Sequence, residues 1–446
     1  MMHPLTRALR TRNTSSAQFA RELRTLAEQR GEHVNPQKGD AYRWQGRGKG
    51  QPRRPEDLTQ YLIGEWLGFD REAVDPPTWP HWLESDPLQQ PPDHPWTPNG
   101  TLAALTESWE ENFMERRTFG ILTGTTLTAS LWKWLTADPA AAGQITSARR
   151  IGEAAVAHVE TRVRDLWHAD DLGGGGRLLD ESAASLRLAT DLLRNRDYSD
   201  AHGARLYAAV ADLARQRAAA VFDVHNVCPD ALFESALRAA RIAGDDALGA
   251  NILGFWAVAA YNTDRPQDAE TMTTVALSSL RGRTTPRVEA MLTTRRARAR
   301  AHLRDQGCWA DLDRAEHLLA DAGDHQDPDW AYWFGAPDIP AARASSHRDM
   351  GQPDLAAQQF AQTANLYDPA YVRDRALYLS RQADAEYDAG HVEAACSTAS
   401  QALDLTETIT SRRTTAPLLD LANRLRNSSA PEARDFHERA HSTLTA

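Results

Sequence analysis

"DRPQDAE" (Asp264–Glu270), "MGQPDLAAQ" (Met350–Gln358) and "AGHVEAACS" (Ala389–Ser397) are three versions of one device. Each follows an Ala-rich stretch with helical apolar spacing, makes a short polar turn and opens a second helix on a small residue. Weaker copies stand at "CPDALFESA" (Cys228–Ala236) and "CWADLDRAE" (Cys308–Glu316). Aligned on Ala231, Ala269, Ala315, Ala356 and Ala394, the copies lie 38, 46, 41 and 38 residues apart. A period near 40 with two helices per unit predicts an all-α chain whose helical pairs stack into an α-solenoid. Such a stack offers a concave face in place of a catalytic pocket.

The repeat is of tetratricopeptide type, somewhat longer than the ~34-residue norm. With 446 residues the chain is long enough for several domains. Its 41% hydrophobic and 25% charged residues are ordinary for a soluble globular protein. No apolar run approaches the ~20 residues that span a bilayer, so no membrane partner is expected. The N-terminus lacks the apolar core of a signal peptide. Cys228, Cys308 and Cys396 are scattered, which predicts reduced thiols in a cytoplasmic protein and no zinc framework. There is no G-x-S-x-G, no H-E-x-x-H and no acidic or His/Cys cluster with ligand spacing. Neither an enzyme nor a cofactor or metal site is expected.

The pattern divides the chain into residues 1–74, a small helical head; 75–100, a Pro-rich linker; 101–177, a helical connecting region; and 178–446, the repeats. Leu5 and Leu9, then Phe19, Leu23 and Leu26, keep helical spacing in the head. The linker carries eight of the 23 prolines and is expected to run extended, although Trp79, Trp82 and Trp96 suggest packing. Arg116-Arg117 before an apolar stretch imitates an export signal, but its internal position makes structural core the better reading. Gly173–Gly176 has no neighbouring strand and reads as an inter-helix loop, not a phosphate cradle.

Charge is uneven. Residues 1–60 hold 12 Lys/Arg against 6 Asp/Glu, whereas the whole chain is −11. A basic head on an acidic body points to a polyanionic partner. The stretch "NPQKGDAYRWQGRGKGQPRRPEDLTQYLIGEWLG" (Asn35–Gly68) resembles the helix-turn-helix regulators of the Xre/lambda-repressor class. It is more closely similar to a group from high-GC Gram-positive bacteria, in which a basic residue plus Trp ends the recognition helix, before a Gly/Arg turn and a Pro-Arg-x-Pro stretch. The "RRTF" segment, "GDDALGANIL" (Gly244–Leu253), "TTPRVEAML" (Thr284–Leu292), "DPDWAYWF" (Asp327–Phe334) and "YDPAYVRDRALYL" (Tyr367–Leu379) follow in that group's order. The resemblance implies a transcriptional regulator of development or secondary metabolism, acting on double-stranded DNA as a homodimer. It implies that Gln37, Lys38, Asp40 and Tyr42 face the major groove, that Arg43, Arg47, Lys49, Arg53 and Arg54 meet phosphates, and that Trp44 anchors the helix. Gly39 inside that helix and the carboxylate of Asp40 depart from the pattern. A scaffold whose head and repeats both dock proteins is the alternative.

On the first helices of the repeats, Asn251, Arg295, Arg298, Arg343, His347, Tyr378 and Arg381 are the candidates for binding a peptide, a small molecule or a protein. Amides pair with peptide backbone and guanidinium with carboxylate. Trp256 reads first as core, and His347 as a hydrogen-bonded surface residue. Trp330, Tyr332, Trp333 and Phe334 are expected to pack on a neighbouring repeat.

Overall fold

The computed structural model describes residues 3–11, 14–46, 53–67, 71, 74–84, 94–110, 122–137, 150–173, 175–323, 325–363, 366, 371–406, 409–428 and 430–444. Among these there are twenty α-helices and no β-strand, so the all-α expectation holds. Arg47, Lys49, the Arg116-Arg117 segment and residues 85–93 of the Pro-rich stretch lie outside the described residues. The chain forms two compact units, one from the described residues of Met1–Asp93 with Leu122, the other from His94–Glu110 and those of Thr123–Ala446.

The N-terminal unit holds α1 (Pro4–Thr11), α2 (Ser16–Arg30), α3 (Lys38–Trp44) and α4 (Asp57–Leu67). Ser15 caps α2 by accepting a hydrogen bond from the Gln18 N–H at 3.2 Å. The periodic residues Leu5, Leu9, Phe19, Leu23, Ala41, Trp44, Leu62 and Ile63 meet in one core. That core does not stop at residue 74. Val74 and Trp82 are buried in it, with Trp79 and Leu83 packed alongside. The Trp82 indole donates to Gln60 Oε1 at 2.8 Å, and buried Gln60 donates to the Pro55 carbonyl at 2.9 Å. Residues 76–84 of the expected spacer are thus two 3-10 turns (Pro76–Thr78 and His81–Glu84) folded onto the unit. Prolines rule out a long helix there, but they leave the rings free to be buried.

The second unit begins with α5 (Pro98–Glu110), α6 (Gly124–Thr136), α7 (Glu153–Gly173) and α8 (Gly175–Asn195); Gly173 ends α7, and Gly175 and Gly176 open α8 where a loop was expected. Then come the helical pairs α9 (Asp200–His225) with α10 (Asp230–Ala243), and α11 (Asp246–Asn262) with α12 (Pro266–Ser279). They continue as α13 (Pro286–His302) with α14 (Gly307–Ala320), and α15 (Asp338–Asp349) with α16 (Pro353–Thr363). The last are α17 (Val372–Asp388) with α18 (Val392–Thr406), and α19 (Arg412–Leu425) with α20 (Pro431–Leu444). Each helix packs chiefly on its neighbours in sequence, the pattern of a solenoid. None of the described helices is long and apolar enough to cross a membrane.

Four of the turns, all but the one before Cys228–Ala236, are one backbone joint. Asp264, Arg304, Gly351 and Gly390 all take a left-handed backbone, with φ of 64°, 58°, 79° and 86°. The next N–H reaches back to a carbonyl of the preceding helix: Arg265 to Ala260, Asp305 to Arg300, Gln352 to His347 and His391 to Glu386, at 2.8–2.9 Å. Each bond satisfies an acceptor that a helix end leaves open.

Burial corrects the register of the repeats. Ala269 and Ala356 are fully buried at the start of their helices, but Ala394 is exposed and Ala395 takes the inward place. In α14 that place belongs to Cys308, and Ala315 lies two turns further on. Counted from Ala269 through Cys308, Ala356 and Ala395, the steps are 39, 48 and 39 residues by residue number. The long step contains the connection between α14 and α15, which carries Trp330, Tyr332, Trp333 and Phe334.

The array folds back on itself. Helix α19 packs against α9, and α17 against α7. The Ser411 hydroxyl donates to Asp223 Oδ1 at 2.8 Å, and Arg373 pairs with Asp170 across the same closure.

Candidate functional site: a basic face and an arginine-lined cavity

In the N-terminal unit, α3 is short and held at both ends. Asp40 Oδ2 accepts from the Gln37 N–H at 2.9 Å, and its other oxygen pairs with Arg43. These contacts, the backbone bond first, hold the Asp40 carboxyl below its usual range. Trp44 is buried edge-on against Phe19, with ring centroids 6.5 Å apart. Buried Gln45 donates to the Ala41 carbonyl at 2.7 Å and to Ser16 Oγ at 2.9 Å, and accepts from Thr6 at 3.2 Å. Gln45 therefore ties the first three helices together, a role without a sequence signal.

With Ala41 and Trp44 inward, Gln37, Lys38, Gly39 and Arg43 are exposed and Tyr42 half-buried. Lys38 lies 5.6 Å from the centre of the Tyr42 ring. Arg53 and Arg54 are exposed in the turn before α4, and the Arg53 N–H bonds the Arg43 carbonyl at 3.3 Å. Arg54 pairs with Asp57, and Arg53 stands 3.9 Å from Glu56. Such exposed pairs contribute about 0–1 kcal/mol each and open easily to a better anion.

The second unit holds a cavity of about 440 Å³. Every first helix from α9 to α19 contributes to its wall, as do α7, α10 and the connection before α15. Arg295, Arg298, Tyr378 and Arg381 line it. The other candidates lie elsewhere. Arg343 pairs with Asp313 at 2.8 Å and Glu316 at 3.0 Å on α14. His347 lies tilted against Trp309 with centroids 4.5 Å apart and bonds Gln352. Asn251 is buried in α11 with both side-chain atoms lacking a hydrogen-bond partner. Trp256 is core, stacked on Phe233 and bonded to Asp230.

Six arginines line the cavity, and three have carboxylates. Arg215 pairs with Asp212 at 2.6 Å, Arg298 with Asp349 at 2.6 Å, and Arg373 with Asp170 and Asp374. Arg295, Arg381 and Arg413 make no ion pair among the described residues. Arg295 is 7% exposed, and its Nη1 has no hydrogen-bond partner. Its guanidinium lies 4.4 Å from the centre of the Phe255 ring and 5.2 Å from that of Trp333. Burial, helped by Arg215 and Arg413, pushes its pKa down to about 10. Burial also lowers that of Arg381, which lies 5.6 Å from the centre of the Tyr378 ring and 3.4 Å from Ser345 Oγ. Arg413 sits 5.6 Å from the centre of the Phe222 ring, with its Nε unbonded. A β-carbon on Gly254 would stand 2.3 Å from Arg295 Nη1, so this glycine leaves the space the guanidinium occupies. At the start of α15, burial raises the Asp338 carboxyl to about 7, although it accepts the Gly335 N–H at 2.7 Å.

Sequence reading missed Phe255, Arg373 and Arg413 as lining, because their neighbours come from helices far along the chain. The aromatic run in Asp327–Phe334 was the one visible signal, and it supplies Trp330, Tyr332, Trp333 and Phe334 to the wall. No model of a known protein family matches the chain, and no curated protein matches it.

Proposed function

We propose that this chain is a DNA-binding transcriptional regulator, in which a helix-turn-helix head meets duplex DNA and a tetratricopeptide-like array holds a small ligand. The observation that carries the sensing half is the cavity, three of whose lining arginines have no ion-pair partner among the described residues. Its volume falls in the range of small-molecule sites, roughly 300–1,000 Å³. A ligand seated between helices that close on one another shifts the population of open and closed arrays, which is how binding there becomes a signal. The DNA half is supported by exposed Lys38, Arg43, Arg53 and Arg54 near one short helix whose opposite side is anchored by Trp44.

A second reading is favoured by one observation: Asp40, Glu56 and Asp57 sit beside three of those four cations. A head of mixed charge also suits a protein partner. Salt separates the two readings. Affinity of the intact chain for duplex DNA is expected to fall steeply with salt, with a log–log slope of about −0.9 per phosphate contact. Arg43→Ala and Arg53→Ala are each expected to reduce that slope by about one. A flat salt dependence, or slopes unchanged in both variants, would assign the head to protein docking.

A further inference from the structure

We propose that the inner cavity is a site for a small organic anion with a flat apolar body, an aromatic carboxylate or sulfonate in chemical class, gripped by Arg295, Arg381 and Arg413. The inference deepens the reading of the array as a ligand-holding body and rests on it.

Unmatched charge is the first ground. Three of the six lining arginines have carboxylates within 4 Å and three have none among the described residues. A guanidinium taken out of water without an anion is strongly unfavourable, so folded proteins rarely leave one so. Arg295 is the clearest case, nine-tenths buried with a free Nη1, ring faces beside it and no carboxylate within 4 Å among the described residues, Asp338 acting on it only from farther off. Arg295, Arg381 and Arg413 reach this one cavity from α13, α17 and α19, so a single bound anion lies within the field of all three. One ligand anion would satisfy donors that the protein leaves open, in the bidentate manner suited to carboxylate or sulfonate.

Shape is the second ground. Phe222, Phe255, Trp333 and Tyr378 stand beside these arginines and present flat apolar surface. A bare inorganic anion would use the guanidiniums and leave that surface idle. The 440 Å³ space equals the volume of about fifteen liquid waters, room for a two- or three-ring molecule. The contacts of α19 with α9 and of α17 with α7 bring the two ends of the array together around this space.

The test uses two probes on the full chain, 8-anilinonaphthalene-1-sulfonate and its uncharged relative N-phenyl-1-naphthylamine. Wild type is expected to bind one sulfonate probe per chain. Arg295→Met and Arg381→Met are each expected to weaken it at least tenfold while leaving the uncharged probe unchanged. Ala219→Trp on α9, or Ala342→Trp on α15, fills the cavity and is expected to abolish binding of both; melting curves identify which variants remain folded. If both probes bind equally and neither Met variant changes the sulfonate affinity, the anion assignment is overturned while the ligand-holding cavity stands. If neither probe binds wild type, or if both filled, folded variants bind as well as wild type does, the cavity reading falls with it.

Discussion

Two buried arginines in the second unit carry opposite roles. Arg265 pairs with Asp230 at 2.7 Å, and Asp230 is fully buried. Arg265→Met would take the cation from that buried carboxylate, so a loss of about 3–5 kcal/mol is expected in denaturant unfolding. Arg295→Met removes a cation that has no carboxylate partner. The lost ring contacts are offset by relief of desolvation, and stability is expected to stay within about 1 kcal/mol of wild type or to rise. Equal losses in both variants would make Arg295 structural. Asp338 gives a pH signature. Its folded carboxyl titrates near 7 against an ordinary 3.8, with Arg295 on α13 and Asp374 on α17 as its charged neighbours. The unfolded chain releases this proton first, so Asp338 costs stability progressively as pH rises between those values, and fully above 7. Asp338→Asn is therefore expected to raise the melting temperature at pH 8 and to lose that advantage toward pH 4. A pH-independent difference would show that burial does not hold the proton. None of this was legible in the sequence. Arginine was recognised as a ligand residue, but which arginine lacks a partner depends on pairs such as Arg373 with Asp170, 203 residues apart.

At the scale of elements, α11 contains two glycines with different neighbours. A β-carbon on Gly249 would stand 2.7 Å from the ring of buried Trp134 in α6, whereas one on Gly254 would meet the tip of Arg295. Alanine gains up to about 1 kcal/mol over glycine in a helix interior. At Gly249 overpacking outweighs this, and Gly249→Ala is expected to lose about 1–3 kcal/mol. Gly254→Ala can displace a flexible side chain, so it should keep stability but weaken the sulfonate probe. Calorimetric melts with probe titrations check both; a stable Gly249 variant would mean that α6 is not tightly packed there. The helical pairs were legible because their joints repeat a turn chemistry that Gly351 and Gly390 advertise. Their register was not, because Arg304 stands where a glycine marks other joints and alanine fills both faces of the second helices. The start of the Pro-rich stretch was misread as extended because proline spacing reports what the backbone cannot do, not where Trp82 is buried and Trp79 packs beside it.

At the scale of the whole molecule, repetition built the array and irregularity made its site. Perfect repeats would stack with even steps; here one long step delivers an aromatic wall, and the last pairs return to the first helices through Ser411–Asp223 and Arg373–Asp170. The solenoid was legible as a period, but its closure depends on contacts between ends that share no motif. On this reading the arginine-lined cavity, and no outer surface, receives the ligand. Hydrogen exchange of the full chain, with and without saturating 8-anilinonaphthalene-1-sulfonate, tests it most directly. Slower exchange is expected in peptides covering α13, residues 330–338, α17 and the start of α19. Protection confined to other segments, with those four unchanged, would contradict it.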